Sequence, residues 1–196
     1  VAQVGNMISE ITAQRESDDK IIFCVDGVHG LGIENVSFNE LNCDYLIAGT
    51  HKWMFGPRGT GIICSRSETL DTIAPTFESF STYANFGKAM TPGGYHAFEH
   101  QWALRKAFDF HLQLGKENIQ NRIHFLNSYL KEQLLTIKGI ELVTPRSTEL
   151  SAGFTFFRVK GHKPEDIEKY LQARKVIASA TDRDVGPLLR MAPGLI

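Results

Sequence analysis

The chain has 196 residues, of which 42% are hydrophobic and 22% are charged, and its formal net charge at pH 7 is −1. This composition is ordinary for a globular protein, and the balanced charge argues against a nucleic-acid partner. The longest apolar runs are far too short to cross a bilayer, so we expect no membrane partner.

The first half of the chain alternates between helical and strand-like patterns. It predicts a helix over 2–15 and strands over 21–25, 45–48 and 61–64. Such alternation indicates the α/β class with a mostly parallel sheet. Residues 73–90 lack clear periodicity and predict a long loop. The three cysteines have no metal-ligand spacing, so we expect buried, reduced thiols and no metal.

The second half begins with a long helical region that starts near Phe98 and is interrupted near Gly115. It resumes as an apolar stripe at helical spacing and ends at Gly139. The stripe consists of Ile119, Ile123, Leu126, Leu130 and Leu134. Beyond it the pattern predicts strands over 140–143, 154–159, 176–180 and 188–191, and a helix over 164–174. This mixture indicates a small α+β domain.

Two charged residues stand at the ends of predicted strands. Asp26 follows the first strand, and Lys52 lies just beyond the second. Taken singly, an Asp after a strand is usually a turn former, and a Lys is usually solvated. Ligands in α/β sheets bind at the carboxyl ends of the strands, which brings these two residues to one crevice. A desolvated lysine amine condenses with aldehydes, and pyridoxal phosphate combines this chemistry with a carboxylate against its pyridine nitrogen.

The segment Val25–Gly30, followed by Thr50-His51-Lys52 and by 56–61, resembles the class V aminotransferase family of pyridoxal-phosphate enzymes. The resemblance is greatest to isopenicillin-N-epimerase-like members. It implies the PLP-dependent transferase fold type I, with pyridoxal 5'-phosphate as cofactor. Residues 1–113 would be the C-terminal part of the large cofactor-binding domain, and residues 114–196 a truncated small α+β C-terminal domain.

The resemblance also assigns roles around the cofactor. Lys52 would form the Schiff base and shuttle a proton at the substrate's Cα, while Asp26 would pair with the pyridinium nitrogen. His29 matches a position near the ring oxygen; its alternative is a surface or capping histidine. Thr50 and His51 match, loosely, a cluster that contacts the phosphate.

Two further residues match the family at the substrate and at a subunit interface. Arg190 resembles the arginine that clamps the substrate's α-carboxylate, for which a planar guanidinium is suited. The alternative interpretation is that the aliphatic part of the Arg190 side chain covers apolar surface. Thr91 opens a segment that resembles the one reaching across a homodimer interface toward the partner's cofactor phosphate. The alternative there is a turn that begins a helix.

The resulting hypothesis is a pyridoxal-phosphate enzyme acting at the Cα of an amino acid, as an aminotransferase, epimerase or lyase, in a homodimer with its site at the interface. A catalytically inactive scaffold of the same fold is the alternative. A cysteine desulfurase is disfavoured because the stretch 178–186 holds no cysteine. A serine hydrolase ranks last, since the chain has no Gly-x-Ser-x-Gly motif.

The ends of the chain favour a fragment of a longer enzyme. Val1 is not a methionine and begins within a helical pattern, and Ile196 closes the chain without a polar tail. A signal peptide would therefore not be visible. The cytoplasm is the default expectation, and the periplasm or secretion stays open.

Overall fold

The computed structural model describes residues 1–76, 90 and 97–195 of the chain. These residues form two compact units. Unit 1 comprises Val1–Gly32 and Val36–Gln113, and unit 2 comprises Ile33–Asn35 and Leu114–Ile196. Most of the predicted loop over 73–90 lies outside the described residues. Within the described part of the chain, no helix has the length and apolar character needed to span a membrane. The compartment stays a prediction.

Unit 1 is built on a three-stranded sheet. Its elements are helix α1 (Ala2–Thr12), strands β1 (Cys24–Asp26), β2 (Tyr45–Gly49) and β3 (Gly61–Ser65), 3-10 turns at Asn39–Leu41 and Ser67–Thr72, and nearly all of helix α2 (Phe98–Leu114). Strands β1 and β2 are parallel, with Asp26 beside Ile47. Strands β2 and β3 are antiparallel, with Ile47 beside Ile63. Residues 50–60 connect them, too few for the crossover of about a dozen or more residues that a parallel pair requires. This part of the sheet is therefore mixed rather than mostly parallel.

The buried side of unit 1 centres on Tyr45, which is only 1% exposed. Its hydroxyl donates to the Thr69 carbonyl and lies 2.9 Å from Thr72 Oγ1, which ties the 3-10 turn after β3 to the sheet. Helix α1 ends three residues before the predicted boundary. Its apolar residues Val4 and Ile11 are each 48% exposed. The predicted amphipathic helix is confirmed, but its apolar face is only partly covered.

Unit 2 is a four-stranded antiparallel sheet with helices. Its elements are helix α3 (Lys116–Thr136), strands β4 (Ile140–Leu142) and β5 (Thr155–Val159), helix α4 (Pro164–Gln172), and strands β6 (Ser179–Arg183) and β7 (Gly186–Met191). The strand order is β4-β5-β7-β6. A core of Leu134, Phe157, Ala178 and Leu189 joins the sheet to helix α3. Pro164 occupies the first turn of α4, where its missing N–H costs nothing.

The buried face of α3 differs from the predicted apolar stripe. Ile119, Ile123 and Leu134 are buried as expected, but Asn127 and Lys131 are buried among them. Leu126 and Leu130 are only partly buried. A polar pair, one helical turn apart, thus occupies the centre of the buried face.

The strand predicted over 176–180 is displaced toward the C-terminus. Lys175 has φ of 62°, which turns the chain after α4, and Ile177 is 89% exposed. Pairing with β7 begins at Ser179 and reaches Arg183. The position of this strand is therefore set by its hairpin pairing with β7 and not by the apolar residues of 176–180. The cysteine-free stretch 178–186 is mostly strand and turn.

Candidate functional site

The carboxyl ends of β1 and β2 carry the two residues on which the functional hypothesis depends. Because these strands are parallel, Asp26 and the residues after Gly49 emerge at the same end of the sheet. Asp26, His51 and Lys52 line one open cleft of about 440 Å³. The other lining residues are Cys24, Val28, Ile47, Ala48 and Gly49. The structure therefore brings Asp26 and Lys52 together, on the same side of the sheet.

The amine and the carboxylate in this cleft each have a defined neighbour. Lys52 Nζ lies 3.0 Å from His29 Nε2, so the amine, when charged, donates and the imidazole accepts. Asp26 Oδ1 accepts a hydrogen bond from the Val28 N–H at 3.1 Å. Both Asp26 and Lys52 are exposed. An incoming ligand can therefore reach both charges without displacing protein atoms that cover them.

A closed backbone turn carries Lys52. The Phe55 N–H donates to the Lys52 carbonyl at 3.0 Å, and the Gly56 N–H donates to the Thr50 carbonyl at 2.8 Å. The Thr50 N–H donates to the Thr60 carbonyl at 3.1 Å, and the two threonine hydroxyls lie 2.5 Å apart. Thr50 is 0% exposed. Its hydroxyl thus closes the base of the turn, and its contact with a phosphate stays a prediction.

Helix α2 fixes the far side of the same turn. Burial lowers the pKa of His111, and a hydrogen bond to the backbone of Trp53 opposes that shift. A bond that raises a histidine pKa is one in which the ring N–H donates, so the acceptor is the Trp53 carbonyl. Phe55 packs beside this contact, with its ring centroid 5.8 Å from that of His111 and 6.0 Å from that of Phe110. Local sequence patterns carry no signal for this contact.

Gly32 approaches the turn from the segment that follows His29. Its φ is +89°, and a Cβ at this position would lie 2.7 Å from the Trp53 carbonyl carbon. A side chain fits neither the left-handed backbone nor the available space. Trp53 is thus contacted through its backbone from two directions.

Of the two remaining predicted site residues, the structure describes Arg190 and not Thr91. Arg190 lies on β7 in unit 2, with its guanidinium carbon 5.2 Å from the Phe154 ring centroid. Thr91 lies outside the described residues.

Cys24 is exposed rather than buried, contrary to the prediction for the cysteines. Within the described residues, no group of three or more His, Cys, Asp or Glu side chains is arranged to hold a metal ion. The roles assigned to the site residues stay predictions.

The family model for aminotransferase class-V matches residues 4–192 of the chain. This chain belongs to the aminotransferase class-V family. Among curated relatives, it is similar to isopenicillin N epimerase of Streptomyces clavuligerus, with 26% identity over 186 residues, 86% of this chain and 47% of that protein. The chain spans about half the length of the curated relatives it matches. The predicted family is therefore confirmed.

Solved structures show the same fold. The apo cysteine desulfurase from Thermococcus onnurineus matches with a TM-score of 0.82 at 20% identity, over 98% of this chain and 50% of that one. A C-DES variant with glycine covalently linked to its PLP cofactor matches with a TM-score of 0.82 at 20% identity, over 95% of this chain and 50% of that one. The predicted fold class is confirmed.

Proposed function

We propose that the chain is part of a pyridoxal-phosphate-dependent enzyme that acts at the Cα of an amino acid. The observation that carries this proposal is the placement of the Asp26 carboxylate and the Lys52 amine in one cleft, at the ends of adjacent parallel strands. Membership of the class V family and the similarity to a PLP-bound structure support the same cofactor.

The residues present fit that cofactor. The cleft of about 440 Å³ lies within the range of about 300–1,000 Å³ that is usual for small-molecule sites. It presents one amine and one carboxylate, the two groups that an aldehyde and a protonatable ring nitrogen require. When bound, pyridoxal phosphate supplies an aldehyde for covalent attachment and a ring that accepts electrons from the substrate's Cα.

Each side chain has a defined task in this proposal. Lys52 would hold the cofactor covalently and, once released, would move a proton at the substrate's Cα. Asp26 would accept a hydrogen bond from the protonated ring nitrogen; such a charge-assisted bond is roughly twice as strong as a neutral one. His29, at 3.0 Å from Lys52, orients the amine and is in position to exchange its proton. Arg190 binds the substrate's carboxylate.

The proposal covers three types of reaction at the Cα. Transamination, epimerisation and a lyase step use the same charged groups and all begin with loss of the Cα proton; they differ in where that proton returns and in whether a group leaves the substrate's side chain. A desulfurase reaction is disfavoured because 178–186 contains no cysteine.

We also propose a homodimer with the site at its interface. The mass of the full-length protein from light scattering would test whether it is a dimer.

Cofactor capture gives the direct test. The full-length protein, mixed with pyridoxal phosphate, should develop the absorbance band of a lysine-bound cofactor, and reduction with borohydride should fix the label on the peptide containing Lys52. K52A should abolish both signals, whereas K20A, which changes another exposed lysine of unit 1, should leave them unchanged. A wild-type protein that stays colourless would overturn the proposal in favour of an inactive scaffold.

A further inference from the structure

Arg190 has an aromatic neighbour that its proposed task does not explain. The guanidinium carbon lies 5.2 Å from the Phe154 ring centroid, within the range of about 6 Å for a cation–π contact. In the sheet, Arg190 is paired with Phe156 on β5 and with Ser179 on β6. Phe154 is therefore close to β5 but precedes its first residue, Thr155, so sheet pairing alone does not hold it in place.

A buried amide on α3 fixes the backbone on both sides of Phe154. Asn127, only 1% exposed, donates from Nδ2 to the Ala152 carbonyl at 2.5 Å and to the Phe154 carbonyl at 3.4 Å. The buried Thr155 hydroxyl donates back to Asn127 Oδ1. An amide that bonds three groups in a buried setting is costly to disturb, because each group left without a partner carries a desolvation penalty.

One helical turn further along α3, Lys131 holds the preceding loop. It is 2% exposed, and its Nζ donates to the Pro145 carbonyl at 2.9 Å, to Ser151 Oγ at 2.5 Å and, more distantly, to the Arg146 carbonyl at 3.4 Å. Ser151 Oγ also lies 3.0 Å from the Pro145 carbonyl oxygen. The loop that leads to Phe154 is thus fastened to α3 at two successive buried positions.

We propose that Phe154 is a positioning residue for Arg190, held in place by Asn127 and Lys131. An aromatic ring over the guanidinium restricts how its plane turns, while the N–H groups at the edge of that plane stay directed outward. Those N–H groups are the ones that bind a carboxylate in bidentate fashion. Phe154 therefore favours ligands with a free α-carboxylate over the corresponding amides. This inference rests on the proposed carboxylate-binding task of Arg190.

The test compares glycine with glycinamide. Dissociation constants for both are measured by calorimetry on the full-length, cofactor-loaded protein. Two replacements that lack an aromatic face, F154L and F154M, should weaken glycine binding roughly 3- to 30-fold and change glycinamide binding by less than about twofold. F154Y keeps the ring and should bind glycine within about twofold of wild type. The matched control is F125L, at an aromatic residue of α3 that is 62% exposed.

The outcomes separate this inference from the proposed function. If R190M weakens glycine binding while F154L and F154M bind glycine as tightly as wild type, the positioning role of Phe154 is wrong. The carboxylate-binding role of Arg190 is then supported. If wild type binds neither ligand, or binds both equally well, the clamp itself fails and the inference with it. An equal loss of both ligands in F154L, F154M and F154Y would indicate a structural role only and would overturn the inference.

Discussion

The two lysines that stand out in this chain are treated in opposite ways by the fold. In unit 1, Lys52 is exposed, with its amine near His29, while hydrogen bonds close the backbone around it. In unit 2, Lys131 is 2% exposed, and its ammonium itself fastens a loop. In the proposed function the Lys52 amine must be reachable, and the hydrogen bonds of this turn stabilise its backbone rather than its side chain. A structural amine can be fully buried, provided that oxygen atoms surround it.

Replacement of each lysine by methionine tests this difference most strongly. Lys131→Met leaves the Pro145 carbonyl and the Ser151 hydroxyl without their buried donor, and we expect a loss of about 3 kcal/mol in the free energy of unfolding. Lys52→Met should change it by less than about 0.5 kcal/mol, as exposed positions usually do. Urea unfolding of both variants provides the measurement. Equal losses would show that burial does not distinguish the two amines.

Asp26→Asn is expected to affect turnover and leave the stability of unit 1 intact. An amide cannot hold the positive charge of a protonated ring nitrogen, and loss of a charge-assisted hydrogen bond of about 1.5–3 kcal/mol corresponds to a roughly 10- to 150-fold lower kcat. Asp18→Asn, at an exposed position of the same unit, is the control. Steady-state kinetics on the full-length enzyme measures both. Full activity in Asp26→Asn would remove Asp26 from the proposed mechanism.

Gly32→Ala tests whether the turn that carries Lys52 depends on close backbone contact. The added Cβ meets the Trp53 carbonyl carbon at 2.7 Å, so we expect a loss of about 2 kcal/mol in stability, part of it from the left-handed φ of +89°. Gly59→Ala separates the two causes, because its φ is +79° but nothing lies within 4 Å of the added Cβ. Thermal unfolding should show the smaller effect for Gly59→Ala. The reverse order would contradict the contact between Gly32 and Trp53.

The smallest expected effect is a dependence of stability on pH from His111. Burial lowers the pKa of His111 in the folded state below the ordinary histidine value of about 6.5, so the unfolded chain takes up the proton first as pH falls. Stability should therefore decline from about pH 6.5 toward the folded-state pKa, with a slope of at most about 1.4 kcal/mol per pH unit. His111→Gln can still donate to Trp53 but does not titrate, and should lack this contribution. An unchanged slope between pH 5 and 7 would remove His111 as its source.

Apolar runs and glycine positions in the sequence predicted those strands and chain breaks that depend on neighbouring residues. Short apolar runs ended by glycine predicted β2 and the position of β1, and with them the meeting of Asp26 and Lys52. The first strand is shorter than predicted, since it begins at Cys24 rather than at residue 21 and includes Asp26. The glycine between the two long helices was also predicted, and Gly115 has a φ of +83° there.

Contacts between distant parts of the sequence were beyond this kind of prediction. Nothing near His111 indicates that its ring bonds the Trp53 backbone, and nothing near Asn127 or Lys131 indicates that loop carbonyls replace apolar neighbours. Strand β6 shifted because its pairing with β7 determined its register. In each case, a partner from another segment decided the outcome, and a single local window does not contain that partner.

The hydrogen bonds between Thr50 and Thr60, which close the turn that carries Lys52, also limit how the lysine amine moves. Because the backbone of Lys52 is fixed, the amine travels only by rotation about the bonds of its own side chain. Rotations of exposed side chains take picoseconds to nanoseconds, whereas typical enzymes turn over about ten times per second. In the proposed mechanism, movement of this amine between one chemical step and the next would thus be much faster than turnover, and it would not require the loop to open.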